Sequence, residues 1–106
     1  FSVHFHEFLA EGADWVTAWL RALRDAFPGW VVLAMEQPLL GEQEREQVDE
    51  AEWLYNHSNI LIHHLIGNGR ILSNQGWIDL LESSGGQVEQ VRTLNYLGYR
   101  AYSLRL

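Results

Sequence analysis

The apolar run from Trp30 to Met35 constrains the fold more than any other segment of the chain. An uninterrupted run of this length and composition is typical of a strand that is buried on both faces in a parallel sheet. A second strand is expected over Phe1 to Phe8, and apolar residues recur at helical spacing from Trp15 to Phe27, before Pro28-Gly29. Strand, helix and strand with tight connections predict a right-handed β-α-β unit whose strands are parallel neighbours.

The rest of the chain predicts two more helices and a closing hairpin. Helices are expected over Val48 to Ile66 and Asn74 to Ser84, and glycines follow each of them. Val88 to Leu94 and Tyr99 to Leu106 alternate loosely around residues 95–98, as in an antiparallel hairpin. The predicted fold is therefore α/β with the order β-α-β-α-α-β-β, in one small domain of 106 residues.

The charge balance narrows the choice of partners. The formal net charge is −7, with 14 acidic and 7 basic residues, and every basic residue is arginine. Such a surface predicts that neither nucleic acid nor an anionic membrane is a partner. The acidic stretch from Pro38 to Glu52 is interpreted as a solvated loop that leads into a helix. Because the chain has no cysteine and no apolar run of the roughly 20 residues that span a membrane, a cytoplasmic location is expected.

Polar side chains stand where the first two predicted strands end. His6 and Glu7 end the first strand, and Glu36 follows the second. Open α/β sheets bind ligands just outside the carboxyl ends of their strands, so these side chains predict one wall of a ligand site. An imidazole with an ordinary pKa suits proton transfer at neutral pH. A histidine that only caps the strand end is the structural alternative for His6, and a solvated carboxylate is the alternative for Glu7.

Five histidines raise the question of a metal site. On a helix, His57 and His64 are separated by about 10.5 Å of rise, too far for one ion with bonds of roughly 2.1 Å. His63 and His64 diverge by roughly 100° on the same helix. A metal site would therefore need His6, one helix histidine and either a carboxylate or the substrate itself. Packing or solvation of the helix histidines is the alternative.

Two of the motifs connect these residues to a known family. His6-Glu7-Phe8 resembles the strand-end pattern LH(D/E)(W/F) of small-molecule O-methyltransferases. Phe27-Pro28-Gly29, followed by a strand that ends in Glu36 and then by Pro38, resembles their pattern PGG–strand–E–x–(x)–LP. With the order of elements, these motifs resemble the C-terminal half of a class I S-adenosylmethionine-dependent methyltransferase.

A third motif extends the resemblance over nearly the whole chain. Arg70 to Trp77, with Leu80-Leu81 and Ser84-Gly85, resembles the family pattern R-T-x-x-(E/Q)-W-x-x-L-L-x-x-A-G-F. The closing hairpin matches the family in position more than in sequence. Gly86 departs from the pattern, because the family usually has an aromatic residue there.

The resemblance implies that residues 1–106 are a single partial domain, the substrate-side half of a Rossmann-like methyltransferase domain. S-adenosylmethionine would be bound mainly by the missing N-terminal half, so the chain alone is expected to be inactive and unable to bind that cofactor. By the same resemblance, His6 acts as general base on the hydroxyl of a small-molecule methyl acceptor. Glu36 then supports the imidazole, and Glu7 orients it or contacts the substrate.

A second branch of the family gives a different chemistry. Leu61-Ile62-His63, before a turn with glycine and arginine, resembles the α-keto-acid C-methyltransferases. The resemblance implies a divalent or ferric ion on His6 and His63, with His57 and His64 as rivals, which acidifies the carbon beside the keto group. C-methylation of an α-keto acid and O-methylation of a small molecule remain alternative reactions, and C-methylation is the preferred one. Another alternative is a non-catalytic α/β module that associates through its apolar surface. The exposed edge of its first strand would favour pairing with another chain, for instance in a homodimer.

Overall fold

The computed structural model describes residues 2–67, 69–94 and 98–106. The helices and strands follow the predicted order, so the predicted α/β fold class is confirmed. The strands and helices are β1 (Ser2–Val3), α1 (Ala13–Ala26), β2 (Val31–Glu36), α2 (Glu50–Ile66), α3 (Asn74–Glu82), β3 (Gln87–Thr93) and β4 (Arg100–Arg105). Two short 3-10 helices, Phe8–Ala10 and Glu42–Gln47, precede α1 and α2. The predicted boundaries are correct to within a few residues everywhere except at β1.

The four strands form one sheet in the order β1-β2-β4-β3. Strand β1 is parallel to β2, and the register pairs Val3 with Ala34. Strand β4 lies between β2 and β3 and is antiparallel to both. The predicted hairpin is therefore present as β3 and β4. Residues 95–97, which include most of its predicted turn, lie outside the described residues.

The core lies between one face of the sheet and helices α1 and α3. Alternation along β2 buries Val32 and Ala34 but leaves Val31 and Leu33 each 37% exposed. The prediction that this strand is buried on both faces is thus wrong, because both helices pack on the same face. The buried apolar residues of the core are Phe5, Leu9, Val16, Leu20, Val32, Ala34, Trp77, Leu80, Leu81, Tyr102 and Leu104.

Helix α2 is attached to the segment that follows β2 through polar contacts. The buried side chain of Asn56 accepts a hydrogen bond from the Leu40 N–H at 3.0 Å and donates to the Pro38 carbonyl at 2.7 Å. Farther along the helix, Leu61 and Leu65 are exposed, Leu65 to 74%. No helix in the described part of the chain combines the length and the apolar character that a membrane crossing requires.

The first predicted strand is much shorter than the sequence suggests. Strand β1 ends at Val3, His6 and Glu7 lie in a turn, and Phe8 begins a 3-10 helix. The reason is that the backbone leaves the sheet for other partners. The Phe5 N–H donates to the Glu36 carboxylate, and the His6 carbonyl accepts from the Arg70 N–H at 3.0 Å. The second half of the predicted strand is therefore replaced by a turn and the start of a 3-10 helix.

Candidate functional site

The centre of the candidate site is a contact between His6 and Glu36. Nδ1 of His6 lies 2.7 Å from Oε2 of Glu36. The carboxylate is fully buried, and the imidazole is 17% exposed. The other oxygen of Glu36, Oε1, accepts the N–H of Phe5. With Nδ1 donating to the carboxylate, a neutral His6 carries its lone pair on Nε2.

The pairing of β1 with β2 explains why these two residues meet. The parallel register places Val3 beside Ala34, so Phe5 and Glu36 each stand two residues farther along. Alternation along β2 then directs the Glu36 side chain toward the core. A carboxylate at this depth needs hydrogen-bond donors, and the Phe5 N–H and the His6 imidazole supply them.

The carboxylate changes the proton affinity of the imidazole. Its hydrogen bond with Glu36 raises the pKa of His6 above the usual 6.5, although burial of the ring opposes the rise. The negative charges of Glu36 and Glu7 raise the same pKa further. The charged imidazolium is therefore stabilised in the folded protein, which favours a histidine that accepts a proton from a ligand.

Two further histidines flank His6. The ring of His4 lies 5.9 Å from the ring of His6, centroid to centroid, and the ring of His63 lies 5.3 Å away. Nδ1 of His63 is 2.8 Å from the carbonyl of Asn59 on the same helix. In the part of the chain that the structure describes, His4, His6 and Glu36 form a group whose ligand atoms lie within 4.8 Å of one another. His63 is not in that group, and its assignment as a metal ligand stays a prediction.

The other residues singled out in the sequence lie farther from this centre. Glu7 is exposed in the turn after β1, and its role in orienting His6 or contacting substrate stays a prediction. Nδ1 of His57 lies 3.0 Å from the Trp53 carbonyl, and the two rings are 4.1 Å apart. His64 is exposed. Sequence reasoning assigned no role to His4, although its spacing of two residues from His6 was a signal for a shared site.

The turn after α2 closes over the backbone of His6. Gly69 adopts a φ of +85°, and a Cβ at this position would lie 2.0 Å from the His6 carbonyl oxygen. A cavity of about 130 Å³ opens beside this turn, lined by Ile60, His63, His64, Gly69, Arg70 and Ile71. Ligand pockets usually enclose about 300–1,000 Å³, so this cavity alone does not enclose a typical small molecule.

The described elements form a fragment of a methyltransferase fold. The likeness is to the solved structure of the pyocyanin biosynthetic protein PhzM, with a TM-score of 0.71 and 14% sequence identity. The alignment covers 98% of this chain, which spans 29% of the length of PhzM. At this identity the likeness shows the fold, and it confirms the predicted resemblance at that level. No family model matches the sequence, and no curated protein does.

Proposed function

We propose that this chain is the substrate-side part of an S-adenosylmethionine-dependent methyltransferase that methylates a hydroxyl group of a small molecule. The contact of 2.7 Å between Nδ1 of His6 and the buried carboxylate of Glu36 carries the proposal. The fold supports methyl transfer in general, and the choice of a hydroxyl acceptor rests on the His6–Glu36 pair alone.

In this proposal His6 is the general base. A hydroxyl oxygen that attacks a methyl group must lose its proton, and Nε2 of His6 accepts that proton. The imidazolium that forms remains hydrogen-bonded to the Glu36 carboxylate, whose charge stabilises it. Glu36 is therefore a positioning residue that fixes the ring and its tautomer.

The cofactor supplies the methyl group, and the proposal assigns its binding to residues that this sequence does not contain. Cofactors with anionic or hydroxyl-rich groups are commonly bound by a glycine-rich turn between a strand and a helix N-terminus. The connections from β1 to α1 and from β2 to α2 contain one glycine each, Gly12 and Gly41. These two connections thus do not form such a turn.

The test measures transfer of a labelled methyl group to a panel of phenols and α-keto acids by the complete protein that carries this segment. His6→Asn is expected to lower kcat by about 10²–10⁴ with little change in KM, because only proton removal is lost. His57→Gln is the matched control, since its Nδ1 faces its own helix. Full activity of His6→Asn contradicts the assignment of the base. Micromolar binding of S-adenosylmethionine by the 106-residue chain alone contradicts the assignment of cofactor binding to residues outside this sequence.

A second candidate is C-methylation of an α-keto acid that is activated by a metal ion bound to His6 and His63. The separation of 5.3 Å between the two rings favours it. The contact of His63 Nδ1 with Asn59 also leaves Nε2 of His63 as a possible ligand. An ion there would supply Lewis acidity for the carbon beside the keto group. A chelator should then abolish methylation of the keto acids, whereas methylation of the phenols by the base needs no metal.

A further inference from the structure

The side chains around His6 also form a group with the composition and spacing of a metal site, which neither proposed reaction uses as a set. His4, His6 and Glu36 have ligand atoms within 4.8 Å of one another. Glu36 is fully buried, His6 is half-buried and His4 is exposed, so the group leads from the core to the surface. Two imidazoles and one carboxylate are typical ligands of Zn²⁺, Co²⁺ and related first-row ions, and not of Mg²⁺ or Ca²⁺.

We propose that His4, His6 and Glu36 bind one divalent transition-metal ion, which replaces the hydrogen between Nδ1 of His6 and Oε2 of Glu36. These two atoms are now 2.7 Å apart. Two ligands of a tetrahedral ion with bonds of roughly 2.1 Å lie about 3.4 Å apart, so this pair must widen by about 0.7 Å. The larger adjustment falls on His4, because its exposed side chain can turn toward the ion.

The proton balance of this step predicts inhibition. If His6 is neutral, its proton moves from Nδ1 to Nε2 when the ion binds at Nδ1. If His6 is charged, the Nδ1 proton passes to solvent and Nε2 keeps its own. In both cases Nε2 carries hydrogen and no longer accepts a proton. The inhibition rests on the proposed function of His6 as base, whereas the binding of the ion does not.

The structure favours His4 over His63 as the second imidazole. His63 is the nearer ring by its centroid, but its Nδ1 contacts the Asn59 carbonyl, and its ligand atoms lie outside the group. His63 is therefore a matched control: it is also a histidine whose ring lies against that of His6.

The experiment titrates the chelator-treated protein with Co²⁺, without cofactor or acceptor, and follows the visible absorption of the bound ion. His4→Ala is expected to weaken binding by at least about tenfold, whereas His63→Ala stays within about twofold of the unchanged protein. Circular dichroism checks that both variants are folded. The proposal is overturned if the unchanged protein does not bind Co²⁺, if His4→Ala binds as tightly, or if His63→Ala weakens binding as much as His4→Ala.

Inhibition is measured separately, in the methyl transfer assay on a phenol. Zn²⁺ is expected to inhibit, and His4→Ala should need at least about tenfold more Zn²⁺ for the same effect. If Co²⁺ binds as predicted but no acceptor is methylated, the proposed function fails and the metal site stands. If methyl transfer depends on His6 but Co²⁺ does not bind, the metal site fails and the proposed function stands.

Discussion

Replacement of Glu36 by glutamine keeps the shape of a fully buried side chain and removes its charge. The two carboxylate oxygens now accept from two donors, the Phe5 N–H and Nδ1 of His6. Glutamine has one acceptor oxygen, and its NH₂ group would face the other donor. A buried donor without an acceptor lowers the stability of the fold by about 1–3 kcal/mol, and a hydrogen bond to a charged group contributes about 1.5–3 kcal/mol. Because these terms overlap, we expect Glu36→Gln to lower the free energy of unfolding by about 2–4 kcal/mol.

The size of this loss should depend on pH. The pKa of His6 is raised in the folded protein above its usual 6.5, mainly by the hydrogen bond with Glu36. Stabilisation from a raised pKa is fully present below the unfolded value and disappears as the pH rises through the folded value. Glu36→Gln should therefore cost more at about pH 6 than at about pH 9. The same variant should lower the pKa of His6 in an NMR titration.

Urea unfolding followed by tryptophan fluorescence measures both effects, with a chelator present. Glu44→Gln is the control, because Glu44 is partly exposed and lies 3.5 Å from Arg100. Its remaining oxygen can still accept the Gly41 N–H, so a loss of at most about 1 kcal/mol is expected. The reasoning is refuted if Glu36→Gln costs no more than Glu44→Gln, or if its cost is the same at both pH values.

Three further substitutions test the contacts that position the site, each by urea unfolding. Gly69→Ala places a methyl group against the His6 carbonyl. It should cost more than Gly67→Ala, which meets only the strain of a left-handed backbone of about 1–2 kcal/mol. Equal costs of the two variants would contradict this. Asn56→Ala leaves two buried backbone groups without partners and should cost about 2–4 kcal/mol, so a loss under about 1 kcal/mol would be inconsistent. Ser73→Ala removes the N-cap of α3 and should cost about 1 kcal/mol, and an unchanged stability would count against that role.

The order of helices and strands could be predicted because it depends on local patterns. The apolar run of β2, the helical spacing of α1 and the alternation of β3 and β4 are each visible within a single segment. The placement of His6 and Glu36 at one edge of the sheet was also predictable, since parallel neighbours bring their carboxyl ends together there. The chemical roles of both residues remain predictions.

The parts that could not be predicted depend on distant residues. Strand β1 ends early because the Phe5 N–H finds a carboxylate 31 residues away, and no pattern within residues 1–8 contains that information. The exposure of Val31 and Leu33 depends on which face of the sheet the helices cover. Glu36 joins His4 and His6 only because the chain turns after β1, since a continuous strand in this register would place both histidines on the face opposite Glu36.

The position of β4 has a consequence for synthesis on the ribosome. Strand β4 follows β3 in sequence but lies between β2 and β3 in the sheet, so Val32 in β2 pairs with Leu104, which is synthesised 72 residues later. At roughly 5–20 residues per second, translation of that interval takes about 4–14 s. During this time neither β2 nor β3 has the neighbour that later joins them. Until β4 leaves the exit tunnel, the nascent chain therefore lacks the ladder of backbone hydrogen bonds that joins β2 and β3 to it.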